Sequence, residues 1–85
     1  MVSKTAVIHD LIGLHLRPAT DFCKKAMEFP CAIKLQVGNK TANGKSVLGV
    51  LALGAKNGAE VTITCQGEKE EQAVELLADY MESLQ

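Results

Sequence analysis

Arg17, the only arginine in this 85-residue chain, stands two residues after His15 in the run Gly13-Leu14-His15-Leu16-Arg17-Pro18-Ala19. All other side-chain charge of that sign in the chain comes from eight lysines, apart from any protonated histidine. An imidazole is a nucleophile that titrates near neutral pH, whereas a guanidinium keeps its charge and presents a fork of donors that fits phosphate oxygens. The run lies where a strand-like pattern gives way to a helix-like one. Backbone N–H groups of Leu16 and Arg17 would then lack intrahelical acceptors and could face an anion. Pro18 fixes the backbone there and adds no competing donor. The same groups would stabilise a phosphohistidine, by about 0.3–1 kcal/mol at a helix terminus and up to ~2 kcal/mol when partly buried. The pattern points to phosphate chemistry on His15 with Arg17 as phosphate ligand. The plainer alternative is a surface histidine capping a helix.

Other constellations carry less. Ser46, ahead of Val47, Leu48, Val50 and Leu51, reads as the N-cap of a short helix. The string from Gly38 to Ser46 falls short of a phosphate-binding loop, because five residues rather than four separate its glycines. It also leads from a strand into a turn and another strand, so nucleotide binding there is rejected. His9, with only Asp10 beside it, reads as exposed or structural. Two histidines and the scattered Cys23, Cys31 and Cys65 show no metal-ligand spacing, and no Ser/His/Asp set is identifiable. No metal and no cofactor is expected.

The elements that must position His15 follow from periodicity. Residues 2–8 alternate, with Lys4, Ala6 and Ile8 on one face, and read as a strand. Over 17–28, Ala19, Phe22, Cys23, Ala26 and Met27 fall at helical spacing, with Pro18 in the first turn and Pro30 helping to end the helix. Ile33, Leu35 and Val37 alternate in a second strand; Gly38-Asn39 turns it into a short third strand at 40–43. After the helix begun by Ser46, Gly54 is the stop and Asn57-Gly58 a turn. Val61, Ile63 and Cys65 mark a fourth strand that Gly67 closes. Residues 69–84 carry Ala73, Leu76, Leu77, Tyr80, Met81 and Leu84 at helical spacing, with Glu68, Glu70 and Glu71 near the N-terminus, where the helix dipole favours them. The order is β-α-β-β-α-β-α, and each helix has one apolar face. That predicts a two-layer α/β sandwich with helices covering one side of a mainly antiparallel sheet.

Composition sets the class. A chain of 85 residues, 47% hydrophobic and 22% charged, reads as one small globular domain spanning residues 1–85. No apolar run approaches the roughly 20 residues of a membrane span, and the N-terminus lacks the apolar core of a secretory signal. Three cysteines without C-x-x-C spacing read as reduced, partly buried thiols of a cytoplasmic protein. The net charge of −1 hides an asymmetry, +5 over residues 1–56 and −6 over 57–85. The basic part suits an acidic partner or a phosphate, and the acidic part the solvated face of a helix. With only Phe22, Phe29 and Tyr80 as aromatics, direct nucleic-acid binding is not expected.

The run 13–19 resembles the active-site signature of the HPr family, the histidine-containing phosphocarriers of the bacterial sugar phosphotransferase system. The likeness extends to Lys45-Ser46-Val47-Leu48-Gly49-Val50 and to the stretch from Leu53 to Val61, and so covers essentially the whole chain. Position 16, usually alanine in the family, is leucine here, and Ile12 occupies a position that is often small or polar. The resemblance implies an α+β two-layer sandwich with sheet order 1-4-2-3 and three helices on one face. It implies that His15 is phosphorylated on Nδ1 by phospho-Enzyme I and passes the phosphoryl group to sugar-specific IIA proteins or domains, with Arg17 pairing with phosphate in both transfers. Such a protein is a carrier that needs partner enzymes, not an enzyme itself. The Ser46 segment is similar to the regulatory site of Gram-positive members, modified by an ATP-dependent HPr kinase/phosphorylase. The expected docking surface is convex and apolar, formed by Val47, Leu48 and Leu51 with Thr20 near the histidine and rimmed by lysines. A monomer is expected. The rival expectation is a purely regulatory module, a Ser46-phosphorylated corepressor for a transcription factor such as catabolite control protein A.

Overall fold

A computed structural model describes residues 1–9 and 15–84. Ile12 and the Gly13-Leu14 part of the first motif lie outside the described residues. The elements are β1 (Val2–Val7), α1 (Leu16–Met27), β2 (Ala32–Val37), β3 (Lys40–Asn43), α2 (Val47–Ala52), β4 (Glu60–Gln66) and α3 (Glu70–Ser83). The strands form one sheet in the order β1-β4-β2-β3, every neighbouring pair antiparallel. This is the open α/β sandwich that the alternation and helical spacing predict.

Period-two alternation decides which side of the sheet is covered. Ala6, Ile33, Leu35, Val61, Ile63 and Cys65 are buried under the helices. Their neighbours Ser3, Thr5, Lys34 and Gln36 are exposed on the opposite face. There the Ser3 and Thr64 hydroxyls meet at 2.8 Å and those of Thr5 and Thr62 at 3.2 Å, cross-strand contacts on the helix-free side. Pairing outlasts β1: Ile8 is buried and exchanges backbone hydrogen bonds with the 58–59 turn, donating to Ala59 at 3.0 Å and accepting from Gly58 at 2.7 Å. Gly38, at φ +58°, supplies the left-handed backbone that the two-residue link between β2 and β3 requires.

The helices close the core. α1 buries Pro18, Ala19, Phe22, Cys23 and Ala26, and α3 buries Ala73, Val74, Leu77, Ala78 and Met81. Two expected core positions differ. Met27 is 62% exposed and Leu76 46% exposed. Met27 is the last helical residue, with Glu28 already the C-cap, so it lies past the packed stripe. On α3 the buried stripe runs through Val74 and Ala78 instead, small side chains that let the helix lie close to β1 and β4. The open edge of β1 is held by α3. The amino terminus pairs with Glu70 at 2.8 Å, Lys4 with Glu75 at 2.9 Å, and the Val7 N–H donates to Glu82 at 2.8 Å. Covering the outward N–H of an edge strand in this way removes a site for strand addition.

Candidate functional site

His15 is the N-cap of α1, with extended backbone (φ −110°, ψ −170°) and a half-buried side chain. Its carbonyl accepts the Ala19 N–H at 2.9 Å, the first bond of the helix. No side-chain capping bond joins the imidazole to the N–H groups of the helix it opens. Leu16 and Arg17 are then the first and second helical residues and Pro18 the third. Proline removes one of the orphan donors of the first turn, leaving the Leu16 and Arg17 N–H groups at the end of the helix. Neither group meets an acceptor among the described residues. The Arg17 side chain is exposed, and none of the ion pairs among the described residues involves it. Two backbone donors, a guanidinium and an imidazole thus share one helix terminus. That set can bind a phosphoryl group and offers it a nitrogen nucleophile.

Thr20 lies one turn along. Its half-buried hydroxyl donates to the Leu16 carbonyl at 2.7 Å, so it braces the turn that carries His15 and Arg17. Leu16 itself is 63% exposed and leaves an apolar side chain between the two.

Ser46 opens α2 as its N-cap, its hydroxyl accepting the Gly49 N–H at 3.2 Å. The preceding turn is tightly fixed. Asn43 takes the Ser46 N–H on its carbonyl at 3.0 Å and the Lys45 N–H on its side chain at 2.9 Å. The Lys45 ammonium donates to the Phe29 carbonyl at 2.7 Å, just past the C-terminal end of α1. This contact ties the turn before Ser46 to the segment that follows α1, whereas His15 caps the other end of that helix. α2 packs against α1. Leu48 is 80% exposed, while Val47 and Leu51 are half-buried against the core. The four expected docking residues therefore occupy two contacting helices, with Leu48 the most exposed of them.

Some contacts have no signature in the sequence. His9 is paired through Nε2 with Glu82 at 2.9 Å. Hydrogen bonds from Val7 and then His9 hold the Glu82 carboxyl below its ordinary value. Tyr80, which reads as a plain member of an apolar stripe, donates its hydroxyl to the Pro18 carbonyl at 3.5 Å. The three cysteines are free and buried. Burial, followed by the nearby Cys31 thiol, pushes Cys65 up to about 11, a poor nucleophile near neutral pH. No cluster of three or more His, Cys, Asp or Glu side chains suited to a metal lies among the described residues. No helix there is long and apolar enough to cross a membrane.

A family model described as the PTS HPr component phosphorylation site matches residues 2–83. The phosphocarrier protein HPr of Lysinibacillus sphaericus is 41% identical over 92% of this chain and 89% of its own length. The HPr-like protein Crh of Bacillus subtilis is 37% identical over 96% of both. Among solved structures, HPr-C-His from Thermoanaerobacter tengcongensis superimposes with a TM-score of 0.92 at 37% identity, covering 98% of this chain and 93% of that one. A structure from the same organism described as an HPr dimer gives 0.76 at 37% identity, covering 98% and 95%. With the family match spanning nearly every residue, and the fold and the histidine-bearing helix end both in place, the chain belongs to the HPr family of phosphocarrier proteins.

Proposed function

We propose that this chain accepts a phosphoryl group on His15 from phospho-Enzyme I and hands it to IIA proteins. The observation that carries the reading is the placement of His15 at the N-cap of α1, beside two backbone donors and an exposed guanidinium. In the first transfer a ring nitrogen of His15, Nδ1 by family likeness, attacks phosphorus as the donor's N–P bond breaks. In the second the new N–P bond breaks as the IIA histidine attacks. Arg17 and the Leu16 and Arg17 N–H groups bind the phosphoryl oxygens, and the partner completes the site, since transfer of this kind depends on positioning and charge stabilisation. Thr20, Val47, Leu48 and Leu51 form the docking face, and Ser46 is the regulatory site of an HPr kinase/phosphorylase. The protein works as a single cytoplasmic domain over residues 1–85 and as a monomer. It needs no cofactor and contacts neither nucleic acid nor membrane directly.

The test is labelling with Enzyme I and radioactive phosphoenolpyruvate. The wild type takes up one acid-labile phosphate and His15→Ala takes up none; a His15→Ala protein that still accepts label refutes the carrier reading. For Ser46, kinase and ATP give an acid-stable phosphate that is absent from Ser46→Ala. The likeness to Crh supports a second reading, a purely regulatory partner of catabolite control protein A. That reading predicts the acid-stable label alone.

A further inference from the structure

Gly49 is the third residue of the six-residue helix α2, a place where glycine is a worse helix former than any residue but proline. Its backbone does not demand glycine. Among the described residues, left-handed φ values belong to Gly38, Gly54, Gly58, Gly67 and Lys69. Space is the other reason for a glycine. A Cβ at position 49 would stand 3.3 Å from Ser46 Oγ, 3.4 Å from Ala42 Cβ and 3.5 Å from Ser46 Cβ. The missing side chain therefore leaves a narrow gap between the start of α2 and β3, with the Ser46 hydroxyl on its wall. Ser46, Gly49 and Ala42 are each half-buried, so all three keep part of their surface in solvent.

The hydroxyl is also held in place. Its oxygen accepts the Gly49 N–H at 3.2 Å. Asn43 fixes the turn before it, and Lys45 anchors that turn to the Phe29 carbonyl. A turn held in this way presents Oγ where it stands, and a reacting group must come to it.

We propose that Gly49 is the residue that leaves Ser46 open to phosphorylation, its absent side chain keeping room at Oγ for an incoming phosphoryl group. This rests on the reading of Ser46 as a kinase site given above. In that reaction Oγ attacks the γ-phosphorus of ATP. The new O–P bond forms as the bond to the ADP oxygen breaks, and the hydroxyl proton passes to a base of the kinase. Phosphorus brings three further oxygens to the site. A methyl group at position 49 would be in tight contact with Oγ before any of them arrived.

The experiment compares wild type, Gly49→Ala and Ala42→Gly in two assays. The first is phosphorylation by the kinase with radioactive ATP. The second places Ser46→Cys in each background and follows alkylation of the new thiol by iodoacetamide, which reads the room at this position with no protein partner. The three native cysteines are buried and do not compete. Overpacking at the reacting atom makes Gly49→Ala slower in both assays by about tenfold. Labelling of His15 by phospho-Enzyme I stays at the wild-type rate and shows that the variant is folded. Equal phosphorylation of Gly49→Ala and wild type overturns the proposal. So does slower phosphorylation with unchanged alkylation, which would place the effect in kinase docking. Ala42→Gly widens the gap from its other side and is expected to react faster than wild type in both assays. It keeps the test decisive should Gly49→Ala not fold, since rates no higher than wild type then overturn the proposal. Absence of label on wild-type Ser46 overturns the kinase reading and this proposal together; a labelled wild type with an equally labelled Gly49→Ala overturns this one alone.

Discussion

Replacing Ser46 with alanine removes a helix cap as well as a hydroxyl, and the two effects can be separated. In the structure the Ser46 oxygen accepts the Gly49 N–H at 3.2 Å. Gly49 is half-buried, and no other side chain among the described residues takes over that donor. Loss of a serine cap costs about 1 kcal/mol, within a range of about 0.5–2. For a domain of this length that is a fall in melting temperature of about 4–8 °C per kcal/mol. Ser46→Asp keeps a capping oxygen, and its melting temperature is expected within about 2 °C of wild type, since aspartate ranks with serine at this position. Calorimetry on the unphosphorylated proteins, without kinase or partner, reads the difference directly. Equal melting temperatures for wild type and Ser46→Ala would show that the cap carries no stability. A fall of the same size in Ser46→Asp would show that the loss comes from steric change at the site rather than from the missing acceptor. Either result refutes the capping argument. The outcome also decides how loss of phosphorylation in Ser46→Ala is read, because a frayed α2 would by itself be a worse kinase substrate.

Two further perturbations follow from the same geometry. Glu82, held low by Val7 and His9, and Glu70, held low by the amino terminus and Gly67, both have folded values below their unfolded ones. Their contribution is complete above the unfolded carboxylate range and is lost as pH falls through the folded values, so the urea midpoint drops on acidification below about pH 5, and Glu82→Gln shows a shallower drop; parallel curves would refute the linkage. At Gly44 a Cβ would stand 2.5 Å from Ile33 Cγ2 and 3.3 Å from the Ile33 carbonyl that accepts the Gly44 N–H. Gly44→Ala therefore costs about 1–3 kcal/mol in chemical denaturation, and a neutral result would mean that the 43–46 turn shifts freely.

The order and type of every element were legible because each rests on a local repeat: Ile33 and Leu35 two apart, Phe22 and Ala26 four apart. Helix faces were less legible. Leu76 and Val74 are both apolar and both fit a helical stripe with Leu77, and only the position of α3 over β1 and β4 decides that Val74 is inside. The site divides in the same way. His15, Leu16 and Arg17 are neighbours in sequence, and a proline two residues before Thr20 marks the helix start, so the phosphate-binding end could be read from one short run. The groups that brace it could not. Tyr80 meets Pro18 across 62 residues, His9 meets Glu82 across 73, and Lys45 meets Phe29 across 16. Such contacts depend on how the helices lie on the sheet, and residue type at either end gives no sign of them.

The places of the two candidate modification sites in the fold constrain how one could regulate the other. Lys45 ties the start of α2 to the segment just past the C-terminal end of α1, whereas His15 caps the N-terminal end. The apolar face of α2, by contrast, begins at the very next residue, with Leu48 80% exposed. A phosphoserine there adds about −1.5 to −2 charge and must be desolvated when a partner closes over that face. In the proposed function, then, phosphorylation of Ser46 acts on docking more than on chemistry. The expected kinetic sign is a raised KM for Enzyme I with little change in kcat, persisting at high salt because desolvation is not screened. A fall in kcat at unchanged KM would place the effect at His15 and refute the docking argument.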